Sequence, residues 1–367
     1  MSINVLRSCC YPFKYPTNGG IHRSEQIREL LVSHDIKVAE LDQVVYEHLN
    51  PISSRFWGAV DSLRKGDLES FHTGRLGSIG QSLARCQYAL KSERYNALIW
   101  ETVGESLTLG LAKKNSLPVI ALPSNLEAFC KVLMQGRPST RVLHYLKQEV
   151  TGLKQADAVF TISIEEQILY RNFGVEANYL PYYPPQRLID FYTEIRRQRE
   201  ITEPQHYLIL GSVINQLTYE GVAELLTWLR DTTGSQTPKI VLAGNGTETL
   251  KGQWNFPWLK ICGTVSQPEL RDLLISSKAV LVHQKRGLGF LTRIPDMLVA
   301  GIPVIVNQIA ARSTSGYSGV YSYQYPEELN LWLDKELPMP SLPEKPEYAE
   351  KAFIHSVLKY SSHTKAL

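Results

Sequence analysis

Residues 283–307 read HQKRGLGFLTRIPDMLVAGIPVIVN, and this stretch decides the fold class. The four residues before it, AVLV, are a short apolar run of the kind that forms a buried strand. Gly287 and Gly289 let the chain turn tightly and approach a ligand without a Cβ in the way. Thr292 is placed as an N-cap, Arg293 opens a short helix, and Pro295 is tolerated in its first turn. Asp296 falls in that turn, Gly301 ends the helix, and residues 303–306 form the next strand. A helix N-terminus behind a glycine turn, at a strand's carboxyl end, suits an anion. Arg293 adds a fixed positive charge, and Asp296 offers a carboxylate to a sugar diol. On spacing alone a plainer reading stands beside this one. Asp296 would then only complement the helix dipole, and the glycines would only make a surface turn.

The same rhythm runs outward in both directions. Downstream of residue 200, strands are expected at 207–210, 240–243, 258–262, 279–282 and 303–306, with helices at 221–229 and 268–276. Glycines follow the strands at Gly211, Gly244, Gly246 and Gly263. Residues 327–345 are proline-rich, and 346–360 read as a last helix. Upstream, residues 3–9 form a strand, 11–20 a loop ending in Asn18-Gly19-Gly20, and 21–32 a helix. Further strands are expected at 36–41, 97–100, 118–122 and 157–162. Residues 42–95 are less regular, with 81–90 the clearest helix. Alternating strands and helices mean parallel, doubly wound sheets. Asn178 to Gln186, NYLPYYPPQ, has three prolines and three tyrosines and reads as the boundary between two domains. Two such domains in tandem, each with a carboxyl-end crevice, make a ligand between them the default expectation.

Length supports that division, because 367 residues exceed one small core. A net charge of +3, with no block of Lys and Arg interleaved with aromatics, gives no ground for a nucleic-acid partner. No apolar run approaches a membrane span, and the first residues carry no signal-peptide pattern. Five cysteines without CxxC spacing point to a reducing compartment rather than to disulfides or zinc. The expected location is therefore the cytoplasm. Residues 131–154 carry five Lys or Arg and one acid, Glu149. That is either a solvated helix face or a surface for peripheral contact with the inner membrane face.

Three stretches resemble the glycosyltransferases of the GT-B fold, specifically family-4-like members. They are the first strand with its NGGIHR loop, the segment QADAVFTISIEEQILYRNFGVEANYLPYYPP, and ICGTVSQPELRDLLISSKAVLVHQKRGLGFLTRIPDMLVAGIPVIV. The resemblance implies two Rossmann-like doubly wound domains facing a cleft. The acceptor domain would span residues 1–182 and the donor domain 183–345, with 346–367 crossing back as a helix. It implies a hexosyltransferase that uses a nucleotide sugar, UDP-linked, and a glycan or lipid-linked sugar acceptor, with retention of configuration. A degenerate scaffold subunit and an epimerase-like sugar-nucleotide enzyme are the alternatives.

By the resemblance, Asp296 would grip the donor ribose in place of a Glu, and Arg293 would stand near the diphosphate. Gly263, Thr264 and Val265 would meet the base. Gly19 and Gly20, and the turn of Lys285, Arg286, Gly287, Gly289 and Thr292, would line the rest of the donor site. No DxD-like acidic pair is present, so neither a metal nor another cofactor is expected. His22, Glu101 and Glu127 are the acceptor-side catalytic candidates. Departures from the family pattern are Leu288 for an earlier glutamate, Ser212 and Glu220 for a basic pair, and Ser124 for a histidine.

Overall fold

The computed structural model describes residues 3–9, 19–44, 50–64, 76–101, 103, 106–133, 139–233 and 238–363. The chain divides into two compact units, residues 1–181 with 346–367, and residues 182–345.

The first unit holds a parallel sheet of β1 (Asn4–Ser8), β2 (Lys37–Glu40), β3 (Ala97–Trp100), β4 (Val119–Ala121), β5 (Ala158–Thr161) and β6 (Ala177–Tyr179). The spatial order is β2-β1-β3-β4-β5-β6. Its helices are α1 (Gly19–Val32), α2 (Pro51–Arg64), α3 (Leu76–Ser92), α4 (Ser106–Lys114), α5 (Glu127–Leu133), α6 (Val142–Leu153) and α7 (Ile164–Asn172). The strands are apolar on both faces because helices cover both. Leu6, Leu98, Trp100 and Val119 enter one core; Val5, Ala97, Ile99 and Ile120 enter the other. That split is the two-residue period of a strand. Ser163 Oγ accepts from the Glu166 N–H at 3.2 Å and caps the start of α7.

The second unit opens with α8 (Gln186–Arg199) and then forms β7 (His206–Leu210), α9 (Gln216–Thr233), β8 (Ile240–Ala243), β9 (Leu259–Gly263) and α10 (Gln267–Ile275). It continues through β10 (Ser277–Val282), α11 (Arg293–Val299), β11 (Val304–Asn307), β12 (Val320–Tyr323) and α12 (Pro326–Leu333). All strands are parallel, in the order β12-β11-β10-β7-β8-β9. The order reverses between β7 and β10, which makes their carboxyl ends the topological switch point. Arg196 and Arg199 of α8 tie the unit's helix ends together. Arg196 donates to the Leu298 and Val299 carbonyls, and Arg199 to those of Leu274, Ile275, Ser277 and Gly301.

The last helix, α13 (Glu347–His363), belongs to the first unit. Phe353 meets Phe160 edge-on at 5.3 Å, within a core shared with Val5, Ile27 and Ile99.

Several elements depart from the sequence reading. Gly19 and Gly20 begin α1 rather than finishing a loop, and residues 10–18 lie outside the described residues. Helix α9 starts five residues earlier than expected, because Asn215 Oδ1 accepts from the Leu217 and Thr218 N–H groups. Helix α12 sits inside the proline-rich stretch, with Pro326 at its start and the Glu328 carboxylate accepting from the Gln324 and Tyr325 N–H groups.

Candidate functional site

The switch point of the second unit is built from the ends of β7 and β10 and from the helices that follow them. Arg293, the first residue of α11, reaches across to donate to the Leu210 carbonyl at the end of β7. A Cβ on Gly211 would lie 3.1 Å from the same guanidinium. Burial alone lowers the Arg293 pKa. The space left beside it, bordered by Leu210, Thr218, His283 and Gln284, is about 10 Å³, room for one water. A second backbone contact closes the site from below. A Cβ on Gly221 of α9 would lie 2.1 Å from the His283 carbonyl oxygen.

His283 ends the approach. Its Nδ1 is 2.7 Å from Tyr323 Oη and its Nε2 is 2.9 Å from Glu224 Oε2. Burial pulls its pKa down against the pull of Glu224, so the neutral ring donates from Nε2 and accepts at Nδ1. Nothing in the sequence spacing pointed to this Tyr–His–Glu relay, whose members stand 40 and 59 positions apart.

The glycine turn after β10 is held from outside the motif. Arg312 donates to the carbonyls of Leu288, Gly289 and Ile309 and, at 2.7 Å, to Gln284 Oε1. A Cβ on Gly287 would lie 2.3 Å from the Arg312 guanidinium. Gly289 has φ +61°, and Gly301 has φ +73°. Gly301 N–H donates to the Leu298 carbonyl and Ile302 N–H to that of Met297, a Schellman end for α11.

Three of the expected donor residues are placed differently from the sequence reading. Thr292 occupies the N-cap position of α11 but has helical backbone angles and makes no side-chain cap bond. Arg286 is exposed and forms a bidentate pair with Glu220, with oxygens at 2.5–3.0 Å. That pairing lowers the Glu220 pKa, first through the hydrogen bond itself. Asp296 is only 2% exposed and accepts from Tyr182 Oη at 2.9 Å. It also accepts from Tyr192, whose pKa is raised by burial and then by the Asp296 charge. This carboxylate, shorter than the Glu of the resemblance, is thus engaged by two phenols. Lys285 is exposed, 3.9 Å from Glu224. Gly263, at φ +84°, ends β9, followed by exposed Thr264 and half-buried Val265. These three lie two strands from the Arg293 guanidinium, roughly 10 Å across the sheet.

In the first unit the carboxyl ends of β1 and β3 meet at its own switch point. Arg7 is fully buried and donates to Glu101 at 2.6 Å, to Glu40 at 2.9 Å and to the Ser24 carbonyl at 2.7 Å. Burial opposes the Arg7 charge, but Glu101 and Glu40 outweigh it and hold its pKa above the ordinary value. Glu101 is thus a buried partner of Arg7 rather than an open proton acceptor. Ser24 Oγ, 3.4 Å from Glu101, ties α1 to the same cluster. His22 lies half-buried in the first turns of α1, and its neighbour Arg23 caps the end of β6 through the Leu180 and Pro181 carbonyls. Glu127 opens α5 one strand further on. Its own N–H and that of Ala128 donate to the Glu149 carboxylate, which also accepts from Tyr170 Oη at 2.5 Å. The one acid of the basic stretch is therefore a buried helix cap. No group of three His, Cys, Asp or Glu among the described residues is placed to hold a metal.

Two parallel six-stranded sheets in Rossmann-like units are the GT-B architecture of glycosyltransferases. No family model matches the chain, and no curated protein matches it. Among solved structures, it is similar to a sucrose-phosphate synthase from Thermosynechococcus elongatus at 12% identity and TM-score 0.60, over 99% of this chain and 98% of the other. HepE from Anabaena, solved with UDP and glucose, shares 13% identity at TM-score 0.59, over 99% and 98%. The UDP-GlcNAc 2-epimerase of Methanocaldococcus jannaschii, in complex with UDP-GlcNAc and UDP, shares 12% at TM-score 0.52, over 98% and 100%. No helix among the described residues is long and apolar enough to cross a membrane.

Proposed function

We propose that the chain is a glycosyltransferase that moves a hexose from a UDP-sugar to a glycan or lipid-linked acceptor, retaining configuration and using no metal. The observation that carries this reading is Arg293, a cation fixed beside Gly211 at the switch point, where doubly wound sheets hold their ligands. HepE, similar over nearly the whole chain, was solved with UDP and glucose. In the proposed reaction the acceptor hydroxyl oxygen bonds to the anomeric carbon while the bond to the phosphate oxygen breaks. The hydroxyl proton passes to the departing phosphate, so no dedicated base is required. Arg293 and Lys285 stabilise the charge on the leaving diphosphate.

Titration calorimetry with UDP on wild type and Arg293→Met tests the reading. Binding by wild type and at least about ten-fold weaker binding by the variant are expected, since a charge-assisted contact is worth about 1.5–3 kcal/mol. Equal binding by both removes Arg293 from the site. Incubation with UDP-glucose and UDP-GlcNAc then separates chemistries, because transfer releases UDP and epimerisation leaves the nucleotide sugar intact.

A second reading, a non-catalytic scaffold on the same fold, is favoured by one observation. The side chains that would meet a donor are engaged internally, Arg286 by Glu220 and Asp296 by Tyr182 and Tyr192. It implies no thermal shift with UDP, GDP or ADP sugars.

A further inference from the structure

Helix α2 is built inside out. Ser54, Gly58, Asp61 and Ser62, all small or polar, are its buried residues. Its outer side carries Ile52, Phe56 and Leu63, exposed by 79%, 60% and 59%, with Trp57 beside them. Spacings of four and seven residues put the three on one stripe. A helix on a water-soluble surface ordinarily does the reverse.

The small inner face explains how α2 is held. A Cβ on Gly58 would lie 1.9 Å from the Leu76 carbonyl oxygen, and one on Gly80 only 1.7 Å from that of Ser54. Backbone meets backbone, and α3 is the main packing partner of α2. The most exposed apolar side chains of α2, Ile52, Phe56 and Leu63, therefore contribute little to fixing it. An exposed run of this size marks a binding surface.

Charge narrows the partner. The chain is nearly balanced, with 39 basic and 36 acidic residues. Yet the outward charges of α2 and α3 are all basic: Arg55, Arg64 and Lys91 are exposed and Arg85 is half-buried. The one acid of the two helices, Asp61, is fully buried. Nucleic acid would use the cations but leave Ile52 and Leu63 in water. An anionic bilayer uses both, with aromatic and aliphatic groups in the acyl boundary and arginines on phosphates.

We propose that α2, packed on α3, docks on an anionic lipid surface, lying in the plane of the interface with Ile52, Phe56, Trp57 and Leu63 inserted. The assignment is independent of whether the chain transfers a sugar. The test is sedimentation of the full chain with vesicles of phosphatidylcholine alone and of equal parts phosphatidylcholine and phosphatidylglycerol. Wild type is expected to pellet with the anionic vesicles and to be released by salt. The Ile52→Glu/Phe56→Glu double variant should lower partition by about ten-fold or more. Arg55→Gln/Arg64→Gln should remove most of the difference between the two vesicle types. Because these positions are exposed, circular dichroism and melting temperature should match wild type. Quenching by brominated lipid, lost in Trp57→Phe, gives a readout on a variant that leaves the stripe in place. Wild type failing to pellet, undiminished partition of the double variant, or equal quenching with and without Trp57 would each overturn the proposal. So would a dimer, seen by light scattering, that the double variant dissociates, since a second copy would then cover the stripe.

Discussion

Tyr182 Oη lies 2.9 Å from Asp296 Oδ1, so the first residue of the second unit is hydrogen-bonded to a buried carboxylate on α11. Tyr192 of α8 shares that carboxylate, which makes Asp296 a joint of three elements. Tyr182→Phe removes one donor to a buried charge and is expected to lower stability by about 1.5–3 kcal/mol. Urea unfolding at neutral pH measures it, and an unchanged midpoint would show that the bond contributes nothing.

Arg7 is ion-paired with the buried carboxylates of both Glu40 and Glu101, and Arg28 approaches Glu40 at 3.7 Å. Arg7→Met takes a buried cation away from both and should cost about 3–5 kcal/mol. Burial already raises the Glu40 pKa, so mild acid that protonates this carboxylate should recover part of the loss in the variant. Unfolding curves of the variant at neutral and mildly acidic pH decide the point.

His206 gives the protein an acid-sensitive step. Burial, followed by Lys239, lowers its pKa to about 4, while the unfolded ring titrates near the ordinary 6.5. Between those values the unfolded chain binds a proton that the folded chain does not, so stability falls as pH falls. By pH 5 the loss should reach about 2 kcal/mol, and below the folded value it should level off. His206→Gln should flatten the urea midpoint over that window, and a profile identical to wild type would exclude the ring as its source.

Glu220 holds Arg286 where the family resemblance has a lysine ahead of the helix glycine. Glu220→Lys releases Arg286 and adds a cation. UDP affinity measured by calorimetry should rise by about ten-fold if the diphosphate lies at this edge. Unchanged affinity would place the diphosphate elsewhere or nowhere on this unit.

Gly221→Ala should be among the most damaging small substitutions. Its Cβ would press on a backbone oxygen at 2.1 Å, which cannot swing aside as a side chain can. A loss of about 3 kcal/mol is expected from such overpacking, read as a drop in melting temperature.

These contacts show what spacing could and could not reveal. The apolar runs ALIW and IVLA gave their strands to the residue, because buried parallel strands announce themselves by composition. The glycine turn, Arg293 and Gly301 were readable for the same local reason. The roles of Glu101 and Asp296 were not, because Arg7, Tyr182 and Tyr192 stand 94, 114 and 104 positions away and no local pattern points to them. Helix α2 resisted for a different reason. Its apolar period faces outward, so a reading that assigns apolar stripes to the core finds no sense in it.

The clasp of Arg196 and Arg199 on the ends of α10 and α11 and the start of β10 has a consequence for severed chains. Residues 201–205, between α8 and β7, are mostly exposed and carry little of the unit's packing. A protease that cuts there should leave α8 seated by its arginines, and the two pieces should elute together until denaturant parts them.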